Sequence, residues 1–196
     1  SKGELKPKPD FAVFADTQGE PVAVYKWLDW LEKQLTFPVY RVSKGNLAID
    51  SLTIKTSKKT GNKYLKHSVP FFLFKDHKPK GLLIRGCTTD YKIQPIQQFV
   101  RKKCKVKKGE KKIVVNMIIG ISTDEIVRMK KSKVKWIQNT YPLIENNISR
   151  KMCLEWFKKN NLKLPPRSAC IFCPYHQKSY WADLKKNSLK EFKQAV

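Results

Sequence analysis

A chain of 196 residues fits one domain whose core needs no disulfide staples, and a composition of 41% apolar and 11% aromatic residues excludes a disordered polymer. No apolar run reaches the roughly 18 to 20 residues of a membrane-spanning helix, and the amino terminus lacks the basic, apolar and small-residue order of a secretory signal, so the expected location is cytoplasmic, with no membrane partner. The formal charge of +25 creates a positive field that draws phosphate-rich partners, DNA, RNA or nucleotides, although only six of the 41 basic residues are Arg, the usual specific reader of phosphate.

In chain order, Phe-Ala-Val-Phe-Ala at 11–15 is a short continuous apolar run ending in Asp16-Thr17, the pattern of a strand buried on both faces. Pro21 suits a helix's first turn, and Val24, Leu28, Leu31 and Leu35 follow at helical spacing, widened by Trp27. Pro38-Val-Tyr-Arg-Val42 then gives a second strand, and strand, helix, strand over about thirty residues implies a parallel pair. Residues 43–80 are rich in Lys, Gly, Ser and Thr without helical periodicity, and are expected to form a hairpin-like insertion or lid.

Thr88 to Lys103 reads as a helix if Pro95 lies in its first turn. The cluster from Arg101 to Lys112 alternates charge with little apolar content and suits a solvated linker. Ile113 to Ile119 is the most strand-like run, and it ends in Gly120-Ile-Ser-Thr-Asp-Glu125, with Ser122 or Thr123 placed to cap a helix. Two further helices are expected, from Ser149 to about Asn160 and from about Gln177 to Leu189.

The sharpest chemical signal is Cys170-Ile-Phe-Cys173-Pro-Tyr-His176, two thiols and an imidazole within seven residues. A CxxC turn lets both sulfurs reach one metal ion. Three ligands do not close a tetrahedral site, and Cys87, next to the permissive Gly86, is the best candidate for the fourth. A thioredoxin-like redox pair or two buried structural thiols are the alternatives. Mixed Cys and His ligation favours zinc, whereas iron-sulfur clusters prefer all-Cys sites. Cys153 sits on an apolar helical stripe and Cys104 among lysines, and neither is assigned. Strand ends are where α/β sheets hold ligands, which puts Asp16 and Thr17, and separately Ser122, Asp124 and Arg128, where a ribose, a phosphate or a metal ion would be met; ordinary helix capping is the alternative.

Phe14-Ala-Asp-Thr17 with Glu20-Pro21, Arg85-Gly-Cys-Thr-Thr-Asp-Tyr-Lys-Ile-Gln-Pro-Ile96, Gly120-Ile-Ser-Thr-Asp-Glu125, Tyr141-Pro-Leu143 and Ser168-Ala-Cys-Ile-Phe-Cys-Pro-Tyr-His176 occur in an order that resembles the phosphoadenosine phosphosulfate reductase family, within the adenine nucleotide alpha hydrolase superfamily, and especially its phage and mobile-element branch. The likeness runs from about Gly3 to the end. It implies that Asp16, Thr17, Ser122 and Asp124 line a pocket for ATP or a related adenine nucleotide, with or without magnesium, and that Arg85 and Lys92 stand near as phosphate partners. In adenylyl-sulfate reductases of this type a Cys-Cys pair and a later CxxC hold a 4Fe-4S cluster; Cys87, Lys92 and Pro95 match that spacing, Thr88 replaces the second Cys, and His176 is the implied substitute.

Two departures redirect the implied activity. The family's Ser-Gly-Gly-x-Asp-Ser phosphate loop has no counterpart among residues 1–196, and it would lie ahead of Gly3, so either it belongs to sequence outside this chain or cleavage between the α and β phosphates has been lost. No Cys follows Cys173 to take up sulfite, which argues against sulfonucleotide reduction. The expected fold is therefore α/β, a doubly wound, mostly parallel sheet with flanking helices, as one domain over 1–196 with an insertion or lid at 43–80 and a helical Cys/His metal-binding region at 141–196. The expected function is that of an adenine-nucleotide-binding protein, an ATP pyrophosphatase-like or sulfur-transfer component acting on nucleic acid. The rivals are a basic nucleic-acid-binding module without nucleotide hydrolysis and an open-site catalytic metal centre.

Overall fold

The structure, a computed structural model, describes residues 8–65 and 68–196. The start of the family likeness at Gly3 lies outside the described residues. β1 (Ala12–Asp16) and β2 (Val39–Ser43) pair in parallel, from Ala12 opposite Val39 to Asp16 opposite Ser43, and α1 (Val22–Gln34) makes the crossover. The helix buries Val24 and Leu28, two members of the expected stripe. Its first amide, on Val22, donates to the Glu191 carboxylate at 2.7 Å, so a negative charge from the far end of the chain sits on the positive end of α1.

The 43–80 segment holds a short helix and two hairpins. α2 (Leu47–Leu52) has little apolar periodicity to announce it, but the Asn46 side chain accepts from the Ile49 amide as an N-cap. β3 (Ile54–Thr56) pairs antiparallel with β4 (Lys63–Leu65), and β5 (Phe72–Lys75) with β6 (Lys78–Leu82). Asp76 and His77 join β5 to β6 with φ of 51° and 60°, the double left-handed turn whose twist matches two-residue hairpins.

The helix expected from Thr88 to Lys103 forms, with an irregular first turn. Pro95 has no N–H for the Tyr91 carbonyl, and the preceding turn widens so that the Gln94 amide donates to the Thr89 carbonyl, five residues back. α3 (Gln94–Lys103) follows and buries Val100. β7 (Val115–Ile118) pairs in parallel with β8 (Ile137–Thr140), a strand the sequence reading passed over, and α4 (Pro142–Glu145) follows it.

The sheet differs from expectation. The fold is mixed α/β, but its strands form four two-stranded sheets, and among the described residues no doubly wound parallel sheet is formed. The physical reason is what the two parallel pairs rest on. Phe11 beside β1, Val13 within it, and Val115 and Met117 of β7 pack against one cluster built from Val100, Val106, Trp136 and Ile137, joined by Ile96 and Phe99 of α3. The pairs thus share a core through α3 without sharing backbone hydrogen bonds. The same cluster corrects the reading of Arg101 to Lys112 as a solvated linker, because Val106 is buried and its amide returns to the Arg101 carbonyl at 2.9 Å.

α5 (Arg150–Lys159) lies where expected, capped by Ser149, whose hydroxyl accepts from the Met152 amide. The helix expected from about Gln177 to Leu189 is α6 (Lys178–Asn187), and a further helix, α7 (Leu189–Ala195), follows a break at Ser188 with φ −147°. The break is what aims Glu191 at the start of α1. No helix among the described residues is long and apolar enough to cross a membrane.

Candidate functional site

Three of the segments singled out by motif converge at the carboxyl end of β1. Thr17 is wholly buried, and its Oγ1 lies 3.1 Å from Cys170 Sγ. Two residues on, the Gly19 carbonyl accepts from the Ile171 amide at 2.8 Å. A Cβ on Gly19 would stand 2.5 Å from Cε1 of Phe172, so only glycine lets the aromatic ring close over the loop. Glu20 comes next, with no side-chain exposure; its Oε1 accepts from Lys92 Nζ at 3.2 Å and its Oε2 from the Ser168 hydroxyl at 2.9 Å. A buried carboxylate needs partners for both oxygens, and here one comes from each of the other two motifs.

Cys87 and Cys170 pack against the same small cluster, Leu47, Val69 and Tyr91. Gly86 and Cys87 both donate their amides to the Ser68 carbonyl, at 3.0 and 2.8 Å, which ties the thiol segment to the insertion ahead of its second hairpin. Burial pushes the Cys170 thiol above its ordinary value, partly offset by the Thr17 hydroxyl. Cys173 follows through a tight turn, its amide on the Cys170 carbonyl at 3.0 Å.

His176 is buried and its Nε2 lies 2.8 Å from the Cys170 carbonyl. A carbonyl only accepts, so Nε2 carries the proton and Nδ1 alone retains a lone pair. The ring stacks on Tyr180 at 3.6 Å, and burial lowers its pKa. Among the described residues no three His, Cys, Asp or Glu side chains stand together as a group able to hold a metal ion. Cys87 and Cys170 thus share one cluster and Cys173 and His176 follow in the adjoining turn, but as placed the four side chains do not fit a metal centre.

Asp16, at the strand end itself, is engaged locally. Its Oδ1 accepts from the Gln18 amide and the Tyr25 hydroxyl, both at 2.7 Å. Arg85 lies over the Tyr175 ring, its guanidinium carbon 5.4 Å from the centroid, which puts it beside the Cys170–His176 turn.

The Gly120 segment forms a separate group. Ser122 does not cap a backbone amide; its hydroxyl donates to Asp124 Oδ2 at 3.2 Å, and the same oxygen accepts from the Arg150 amide at 2.6 Å. The Arg150 N–H holds the Asp124 carboxyl below its ordinary value. Residues Thr123–Arg128 make a kinked 3-10 turn, not the expected α-helix, and Arg128 pairs with Glu125 on the surface. Among the described residues, no hydrogen bond or ion pair joins Ser122, Asp124 or Arg128 to the β1 group.

Beside the β1 group lies a mainly polar pocket of about 230 Å³, lined by Lys44, Asp50, Lys55, Ser68 and Tyr91. The Tyr91 hydroxyl donates to Asp50 Oδ2 at 2.6 Å, and Lys44 Nζ sits 5.0 Å from the Tyr91 ring centroid. Tyr91 also packs in one cluster with Leu47 and Cys170, and the Leu47 amide donates to the Thr17 carbonyl at 3.1 Å, which links the pocket's lining to the β1 group. Sequence reasoning named none of these five residues. Tyr91 lay inside a quoted motif; the others fell in the insertion or at its edge, where only a capping asparagine hinted at order.

No protein-family model, no curated protein and no solved structure matches this chain.

Proposed function

We propose that the chain binds an adenine nucleotide, ATP or a close relative, at the carboxyl edge of β1 and β2, and serves as an ATP pyrophosphatase-like or sulfur-transfer component acting on nucleic acid. The observation that carries this reading is the position of the polar pocket. It opens where a parallel strand pair ends, the usual ligand position in α/β folds, and it presents Lys44 and Lys55 for phosphate oxygens and Tyr91 with Asp50 for a sugar or base. The ordered resemblance of the surrounding motifs supports it. On this reading Thr17 and Glu20 support the pocket from behind, Asp16 and Lys92 position it, and Arg85 stands by for a terminal phosphate. Ser122, Asp124 and Arg128, which form a separate group, are not assigned to this pocket. With no glycine-rich phosphate loop among residues 1–196, none of these residues is assigned the α–β cleavage itself.

Isothermal titration with ATP and magnesium tests the reading. Saturable heat that weakens about tenfold in Lys44→Ala with Lys55→Ala, the loss expected when charged hydrogen bonds go, and that is unchanged in the distant Lys151→Ala, supports it. Absence of heat in the unsubstituted protein overturns it.

Zinc or a 4Fe-4S cluster on Cys87, Cys170, Cys173 and His176 belongs to the proposal only with a rearrangement that brings three or four donors onto one ion. Stoichiometric zinc or iron, lost in Cys173→Ser, supports that step, and metal-free protein removes it.

The second reading, a basic nucleic-acid-binding module without hydrolysis, is favoured by one observation, the gathering of two lysine-rich segments around Trp136. Binding that falls steeply with added salt, in protein that does not bind nucleotide, is its signature.

A further inference from the structure

One face of α3 carries Gln94, Gln97, Gln98 and Arg101, at i, i+3, i+4 and i+7, which places all four on one stripe. With Val134 and Trp136 they line a pocket of about 270 Å³. The Arg101 guanidinium carbon lies 5.4 Å from the centroid of the Trp136 ring. Trp136 is only 3% exposed, and its indole N–H has no hydrogen-bond partner among the described residues. A solvated polar helix face would not by itself form a concave wall over a buried tryptophan with an unspent donor.

The pocket is set between the two most basic segments of the chain. Eight basic residues lie between Arg101 and Lys112 and four between Lys130 and Lys135, against one acid, Glu110. They meet because Val100 and Val106 on one side and Trp136 and Ile137 on the other share one cluster, and because the Val114 and Val115 amides both donate to the Trp136 carbonyl, at 3.0 and 3.1 Å. Both segments are fastened. The Tyr141 hydroxyl accepts from the Lys130 amide at 3.1 Å and donates to the Lys130 carbonyl at 2.6 Å, while Asn139 donates to the same carbonyl at 2.9 Å. Within the first segment, Glu110 accepts from the amides of Lys111 and Lys112, each at 2.9 Å, and the Val106 amide returns to the Arg101 carbonyl at 2.9 Å.

We infer that this face binds a single-stranded polynucleotide, its phosphates along the two lysine segments and one unstacked base in the α3 pocket. The charge selects a polyanion. The pocket is smaller than the ~300 Å³ at which drug-sized sites begin, which suits one ring system. Glutamine amides offer the paired donor and acceptor that a base edge matches, and the planar Arg101 guanidinium, backed by the buried Trp136 ring, offers a flat surface for it. This deepens the nucleic-acid reading, on which it rests, and is independent of the nucleotide pocket beside β1.

Fluorescence anisotropy at several salt concentrations, with a labelled single-stranded DNA of mixed sequence, the same strand made abasic, and the corresponding duplex, tests the inference. The strand bearing bases should bind about tenfold tighter than its abasic counterpart, the order that one stacked base contributes, and tighter than the duplex. Gln97→Ala with Gln98→Ala, the first half-buried and the second exposed, should erase that preference and leave abasic binding unchanged. Replacing Lys107, Lys108, Lys111 and Lys112 with Ala should weaken both strands alike and flatten the salt dependence. Equal, salt-dependent affinity for intact and abasic strands overturns the base pocket and leaves nucleic-acid binding standing. A preference that survives the glutamine substitutions overturns the location, and no binding to any strand at low salt overturns both readings. The comparison of the two strands uses the unsubstituted protein, so it stands whether or not a variant folds.

Discussion

Thr17 Oγ1 and Cys170 Sγ stand 3.1 Å apart across 153 residues of chain, the contact by which the first strand's end is fixed to the carboxyl-terminal thiol turn. The hydroxyl has no exposure, so its removal is not compensated by water. Thr17→Val keeps the shape and should cost about 1 kcal/mol, the net worth of one neutral hydrogen bond, read as a lower melting temperature. Cys170 should also become harder to ionise, because the hydroxyl offsets part of the effect of burial. Alkylation of Cys170 followed by peptide mass spectrometry across pH should shift to higher pH in the variant; an unchanged profile would separate the two groups functionally.

Glu20 is the most constrained charge in the corner. Replacing it with Ala strands the Ser168 hydroxyl and Lys92, and the expected loss is about 2 kcal/mol, below the cost of breaking a fully buried pair because Lys92 is 37% exposed. Lys92→Met should cost at least as much, because it leaves the buried carboxylate with Ser168 alone and no compensating charge, whereas the Lys92 freed by Glu20→Ala reaches water. Chemical denaturation of the two variants checks the order.

Gly19→Ala tests the close approach of Phe172. The added methyl must displace the ring, and overpacking of this kind costs roughly 1 to 3 kcal/mol. Phe172→Leu in the same chain should recover part of the loss. A Gly19→Ala protein as stable as the parent would mean the ring does not close over the loop as placed.

Burial depresses the His176 pKa in the folded chain, so the unfolded chain takes up the proton first. Its contribution is fully present above the unfolded value of about 6.5 and is lost as pH falls through the lower folded value. Melting temperature should therefore drop below about pH 6.5, and His176→Gln should flatten that part of the profile. An identical acid limb in the variant would assign the drop to other groups.

The strand, helix, strand opening was legible because β1 is a continuous apolar run and α1 carries Val24 and Leu28 at a helical interval, local signals that need no partner. α3 and α5 were legible for the same reason. β8 was not, because Ile137-Gln-Asn-Thr140 has one apolar side chain in the core, and that core is completed by Val100 and Val106 from a distant segment. α2 was missed because six residues show no period, although Asn46 was readable as a cap. The meeting of Asp16–Glu20, Cys87–Lys92 and Ser168–His176 followed from their motifs. The side-chain geometry did not: Nε2 of His176 faces a carbonyl, Thr17 is occupied by a thiol, and the pocket's lysines, Asp50 and Ser68 come from parts of the chain with no shared spacing.

Photolabelling with 8-azido-ATP, followed by peptide mapping, addresses nucleotide binding at the edge of β1 and β2 most directly. Label on the peptides carrying Lys44 to Lys55 or Cys87 to Lys92, suppressed by excess ATP, is the expected result. Label that ATP does not suppress, or that falls only on peptides remote from this edge, contradicts the assignment.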